Sequence, residues 1–96
     1  MLVLITYDVN TETEAGKKRL RKVAKECENY GQRVQNSVFE CIMDAAKSRE
    51  VKEKLLRHID EKKDSIRFYY LGEQYQKKVE HYGVKDSLEL EGELLI

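Results

Sequence analysis

The sequence predicts an α+β sandwich: one small antiparallel sheet covered on a single face by two helices. Three observations predict it. Apolar runs with strand character and apolar stripes with helical spacing follow one another in the order β-α-β-β-α-β. The chain has 96 residues, enough for one core. It contains no proline, no low-complexity tract and no internal repeat, so nothing marks a linker or a second domain. The expectation is a single domain over residues 1–96, with a core of about 1–72 and a C-terminal extension over 73–96.

The first strand is expected over residues 2–7, Leu2-Val3-Leu4-Ile5-Thr6-Tyr7, apolar nearly throughout as a central strand would be. Thr11 with Glu14 three positions on forms a capping box, so Thr11 is expected as the N-cap of a helix running to residue 30. Its buried stripe is Leu20, Val23, Ala24, Cys27 and Tyr30, and Gly31 is expected as a left-handed stop. Lys17, Lys18, Arg21, Lys22 and Lys25 fall on the opposite side. Arg33-Val34-Gln35 reads as a polar edge strand, joined by a tight turn at Asn36 to a more apolar strand over residues 37–43 that Asp44 ends. A second helix is expected over residues 48–61, with Val51, Leu55 and Ile59 inward and Glu50–Lys54 and Glu53–Arg57 pairs on its wet side. Residues 65–71 alternate as a half-buried strand that Gly72 breaks. Residues 73–85 read as polar and irregular; Leu88-Glu89-Leu90 alternates again, and Leu94-Leu95-Ile96 is apolar. This order is the ferredoxin-like, split-βαβ arrangement plus an extra C-terminal strand. Four strands have no place for that extra one, so it is expected to pack on the sheet of a second copy in a homodimer.

Eighteen basic and 18 acidic residues cancel, which excludes a globally basic nucleic-acid binder but leaves local asymmetry. Six of the nine residues from Lys17 to Lys25 are basic and none is acidic, whereas residues 86–96 carry four acids and no base. Two cysteines make no disulfide framework, no apolar run approaches the roughly 20 residues of a membrane helix, and no signal-peptide pattern opens the chain. A cytoplasmic protein with free thiols is expected. Cys27, Cys41, His58 and His81 lack metal-ligand spacing, which speaks against zinc.

The chemically suggestive residue is Asp8, a carboxylate where the first strand leaves the core, followed by a basic helix. Mg²⁺ often takes one or two carboxylates together with waters and substrate phosphate. One Asp8 is too little alone, so a second is expected from another subunit, as in a small dimeric nuclease. The bland alternative is an Asp that ends a strand and starts a turn. Lys18, Arg19, Arg21, Lys22 and Arg33 are candidate phosphate contacts, against the default of solvated or edge-protecting charge. Tyr7, Ser37 and Phe39 are candidate supports, and Phe39 is equally a core or dimer residue.

Tyr7-Asp8-Val9 after an apolar strand, Arg19-Leu20-Arg21-Lys22-Val23, Gly31, and Arg33-Val34-Gln35-Asn36-Ser37-Val38-Phe39-Glu40 together resemble the CRISPR-associated protein 2 family. The similarity runs over about residues 1–72 and on through Lys78-Val79-Glu80-His81; residues 18–41 look most like members found with subtype I-C systems. The resemblance implies a ferredoxin-like homodimer that works in spacer acquisition, at the centre of a complex with the integrase CRISPR-associated protein 1. It implies a Mg²⁺-dependent endonuclease acting on double-stranded DNA or single-stranded RNA, with the family's metal-binding aspartate at Asp8. Two other functions stand beside this one. The same family member can be a non-catalytic scaffold. An RNA-recognition module shares the element order, but requires stacking aromatics in a Lys/Arg-Gly-Phe/Tyr-type motif on its third strand, where this chain has Ser37-Val38-Phe39-Glu40-Cys41.

Overall fold

The computed structural model describes residues 1–83 of the chain. Strands β1 (Leu2–Asp8), β2 (Gln32–Gln35), β3 (Val38–Ile42) and β4 (Ser65–Gly72) alternate with helices α1 (Glu14–Glu28) and α2 (Ala45–His58), and a 3₁₀ turn (Tyr75–Lys77) follows. The sheet order is β2-β3-β1-β4, with every pairing antiparallel. The ferredoxin-like expectation holds for these elements. The extra strand expected around Leu88–Leu90 and the apolar end at 94–96 lie outside the described residues.

The pleat of β1 divides the protein into two sides. Val3, Ile5 and Tyr7 point to the helices and form the core with Val23 and Cys27 of α1, Val51 and Leu55 of α2, and Phe39 and Cys41 of β3. The register sets Ile5 beside Phe39 and Val3 beside Cys41, so the two central strands supply one continuous apolar face. Leu4, Thr6 and Asp8 lie on the other face, in register with Glu40 and Val38 of β3 and with Tyr69, Arg67 and Ser65 of β4. An apolar β1 is therefore central, as its composition predicts.

Several boundaries differ from the sequence reading. The N-cap of α1 is Thr13, not Thr11: its hydroxyl accepts from Gly16 N at 3.0 Å. Thr11 is displaced because Asn10 Oδ1 accepts from Glu12 N at 2.9 Å, a local turn that uses up the first residues of the loop. Gly31 is not a left-handed stop. The positive-φ glycines among the described residues are Gly72 and Gly83. Gly31 is required by close approach instead, since a Cβ there would strike Cys41 Sγ and come within 2.5 Å of Glu40 O. Helix α2 starts three residues before its expected start at 48 because Asp44 is its N-cap, accepting from Lys47 N at 2.8 Å. The segment after β4 is not wholly irregular: Tyr75 is buried within the 3₁₀ turn.

Candidate functional site

Asp8 is the last residue of β1, paired in register with Ser65, the first of β4. Its side chain is exposed and has no hydrogen-bond or ion-pair partner among the described residues. The strand ladder holds its backbone while its carboxylate points free into solvent, an arrangement suited to an external ligand. A hard oxygen donor of this kind fits Mg²⁺ chemically. Among the described residues there is no group of three or more His, Cys, Asp or Glu able to hold a metal.

Tyr7 faces the other way and supports the strand end from beneath. It is 6% exposed and stacks on Phe39 with ring centroids 6.2 Å apart. Its hydroxyl lies 3.5 Å from Asn36 O, and its amide donates to Ser37 O at 3.1 Å. Burial raises the phenol above its ordinary pKa, with the nearby Cys27 adding to the effect, so the hydroxyl stays protonated. The turn between β2 and β3, with Ser37, is thereby tied to the end of β1. Phe39 is fully buried on the helical side, which makes it a core residue and removes it from any contact with a nucleic acid. The open-face positions of β3 are Val38, Glu40 and Ile42, so the stacking aromatic that an RNA-recognition module needs on this strand is missing.

The expected phosphate contacts separate into three groups. Lys18, Arg21, Lys22 and Lys25 are exposed at i, i+3, i+4 and i+7 of α1, a continuous cationic stripe. Arg19 is turned inward, its guanidinium held by Asp64 at 2.8 and 3.2 Å. Arg33 lies over the Phe39 ring at 5.1 Å and pairs with Glu28 at 3.1 Å. Because Arg33 is in register with Phe39, it sits on the helical side, and the pleat places it on the face opposite to Asp8. The structure thus brings Tyr7, Asp8 and Ser37 to one end of the sheet and leaves Arg33 apart from Asp8.

Two polar residues near this site escaped the sequence reading. Asp64 is buried at the start of β4, although Asp60-Glu61-Lys62-Lys63-Asp64 reads as a solvated charged turn. Glu40 is 8% exposed, and its Oε1 has no hydrogen-bond partner among the described residues. Glu40 lies on a central strand in register with Leu4, and Asp64 directly precedes Ser65, the register partner of Asp8.

The described residues form a ferredoxin-like domain with an exposed aspartate at the end of its central strand and a cationic stripe on its first helix. Residues 1–79 match the model of the family described as CRISPR associated protein Cas2, and the chain belongs to that family. It is similar to the "CRISPR-associated endoribonuclease Cas2" of Chlorobaculum tepidum, 58% identical over 96 residues covering the whole of both chains. It is also similar to the "CRISPR-associated endonuclease Cas2" of Halalkalibacterium halodurans, 61% identical over 99% of each chain. The crystal structure of Streptococcus pyogenes Cas2 at pH 6.5 superimposes with a TM-score of 0.74 at 63% identity, covering 86% of this chain and 100% of that one.

Proposed function

We propose that this chain is a Mg²⁺-dependent endonuclease of CRISPR adaptation, cutting phosphodiester bonds of double-stranded DNA or single-stranded RNA as a cytoplasmic homodimer. The observation that carries the reading is the free, exposed carboxylate of Asp8 at the end of a fully registered central strand. The family and the names of relatives, endoribonuclease and endonuclease, support the reaction class.

Asp8 from each of two copies would hold the cation, and Tyr7 and Ser37 would keep the strand end in place. A bound Mg²⁺ supplies a more acidic water and stabilises charge developing on the phosphate. The residues of the chain contribute position: Asp8 is exposed and has no partner among the described residues, and the turn at Asn36-Ser37 limits how the strand end can move. The exposed stripe of Lys18, Arg21, Lys22 and Lys25 offers phosphate contacts that orient the substrate without reading its sequence. Arg33 and Arg19 belong to intramolecular pairs, so their part in phosphate binding is secondary. The dimer would serve in addition as the scaffold that meets the integrase, CRISPR-associated protein 1.

The test compares the protein with its Asp8→Asn variant on labelled duplex DNA and single-stranded RNA, with Mg²⁺ or with chelator. Cleavage that needs Mg²⁺ and falls to background in the variant is the expected result. Equal cleavage by both proteins overturns the assignment of Asp8, and no cleavage by either leaves the scaffold role as the function.

A further inference from the structure

The Asp64 side chain has no exposed surface, and each of its oxygens accepts two hydrogen bonds. Oδ1 receives Asn10 N at 3.0 Å and Arg19 Nη2 at 3.2 Å. Oδ2 receives Arg19 Nε at 2.8 Å and Asp60 N at 2.8 Å. Four donors saturate the carboxylate and fix its orientation. A buried ion pair is by itself weak support for stability, because desolvation offsets the attraction. Its location suggests another use.

Asp64 immediately precedes Ser65, the register partner of Asp8. Asn10, whose amide Asp64 accepts, lies two residues beyond Asp8. The chain carrying Asp8 is therefore pinned on both sides, by the ladder at Ser65 and by the carboxylate at Asn10. Arg19 ties the same point to α1, and the first turn of that helix lies so close that a Cβ on Gly16 would run into Asn10 O.

We infer that Asp64 and Arg19 are positioning residues for Asp8, a clasp that fixes the strand end and so presents the exposed carboxylate in one orientation. The inference rests on the reading of Asp8 as the metal-holding group. Ligands held in place in advance do not have to be ordered when the cation and substrate arrive. Groups hydrogen-bonded to a metal ligand are typically worth about 10- to 100-fold in metal affinity or activity, and Asp64 works one step further back, through the backbone of Asn10. The inference also separates Arg19 from its neighbours Lys18, Arg21 and Lys22: it acts inward, on the chain, and not outward, on phosphate.

The test uses the full chain and the variants Asp64→Asn, Arg19→Lys and Asp8→Asn. Three quantities are measured: the Mg²⁺ concentration for half-maximal cleavage, duplex affinity in chelator, and backbone amide spectra. Asp64→Asn is expected to raise the half-maximal Mg²⁺ by about 10-fold, the low end for groups that bear on a metal ligand, because it reaches Asp8 only through the backbone. It should also shift the amides of Val9, Asn10 and Thr11 while leaving Leu55 and the duplex affinity unchanged. Arg19→Lys keeps the charge and loses the fork, and should act in the same direction to a smaller extent; it carries the test if Asp64→Asn does not fold. An unchanged Mg²⁺ requirement with unmoved Asn10 amide overturns the clasp, as does an Arg19→Lys effect confined to duplex affinity. Asp8→Asn that cleaves like the parent overturns the reading of Asp8 and its positioning together. Loss of cleavage in Asp8→Asn beside an indifferent Asp64→Asn overturns the clasp alone.

Discussion

Glu40 and Asp64 are two carboxylates whose surroundings push stability in opposite directions with pH. Burial raises the Glu40 pKa above its ordinary 4.5, with the positive field of His81 offsetting part of the effect, and its Oε1 has no hydrogen-bond partner among the described residues. The unfolded chain then loses this proton at lower pH than the folded one, so folding becomes less favourable as pH rises through 4.5. Asp64 behaves in the reverse way. Burial alone would raise its pKa, but the Arg19 hydrogen bonds and the amides of Asp60 and Asn10 outweigh burial and bring it from 3.8 to about 2. Its contribution is fully present above 3.8 and is lost as pH falls toward 2. Glu40→Gln should therefore gain in melting temperature relative to the parent as pH rises from acid to neutral, whereas Asp64→Asn should lack the parent's acid limb. Thermal melts from about pH 2 to about pH 7 span both transitions. A Glu40→Gln difference that stays flat with pH would show that folding leaves the Glu40 pKa unmoved, and one that shrinks would show that its ionisation is favoured in the fold.

At the scale of elements, Gly31 decides how closely the end of α1 approaches β3. The absence of a Cβ lets the chain pass Cys41 Sγ and Glu40 O, so Gly31→Ala should destabilise the fold by about 1–3 kcal/mol, the usual cost of overpacking. Gly31→Asn should be at least as damaging. A left-handed stop would tolerate Asn, so denaturant unfolding of the two variants distinguishes the two roles. The same residue shows where sequence reading reaches its limit. Element type and order were legible because apolar spacing in β1, α1, α2 and β4 reports directly which side of each element meets the core. The cap positions were less legible: the capping-box spacing points to Thr11, and the turn at Asn10 moves the cap to Thr13. Asp44 could end a strand or begin a helix, and it does the second with its side chain. At the site, Asp8 was legible as a charge at the end of an apolar run. Asp64 was not, because local sequence cannot reveal that an acid in a charged turn will meet an arginine 45 positions earlier. The face on which Arg33 lies was not legible for a similar reason: strand register, which the sequence leaves open here, decides which face of the sheet a side chain occupies.

For the molecule as a whole, zero formal net charge means that attraction to a polyanion must come from one surface and not from an overall field. The described structure supplies such a surface on α1, where Lys18, Arg21, Lys22 and Lys25 are exposed in one stripe. Lys17 pairs with Glu14 at 3.3 Å and Arg19 with Asp64, so neither is as available as these four. In a dimer the stripe is present twice, and each phosphate that a cation neutralises releases condensed counterions. Replacing Lys18, Arg21 and Lys22 with Ala should therefore weaken duplex binding with little sequence preference. For every phosphate no longer neutralised, the slope of log affinity against log salt should flatten by about 0.9 on duplex DNA. The core should be unaffected, because all three side chains project away from Val23 and Cys27, and melting should stay close to that of the parent. Binding isotherms at several salt concentrations, in chelator so that cleavage does not intervene, provide the measurement. An unchanged slope with unchanged melting would mean that the α1 stripe faces solvent in the complex and that the substrate reaches Asp8 across another surface.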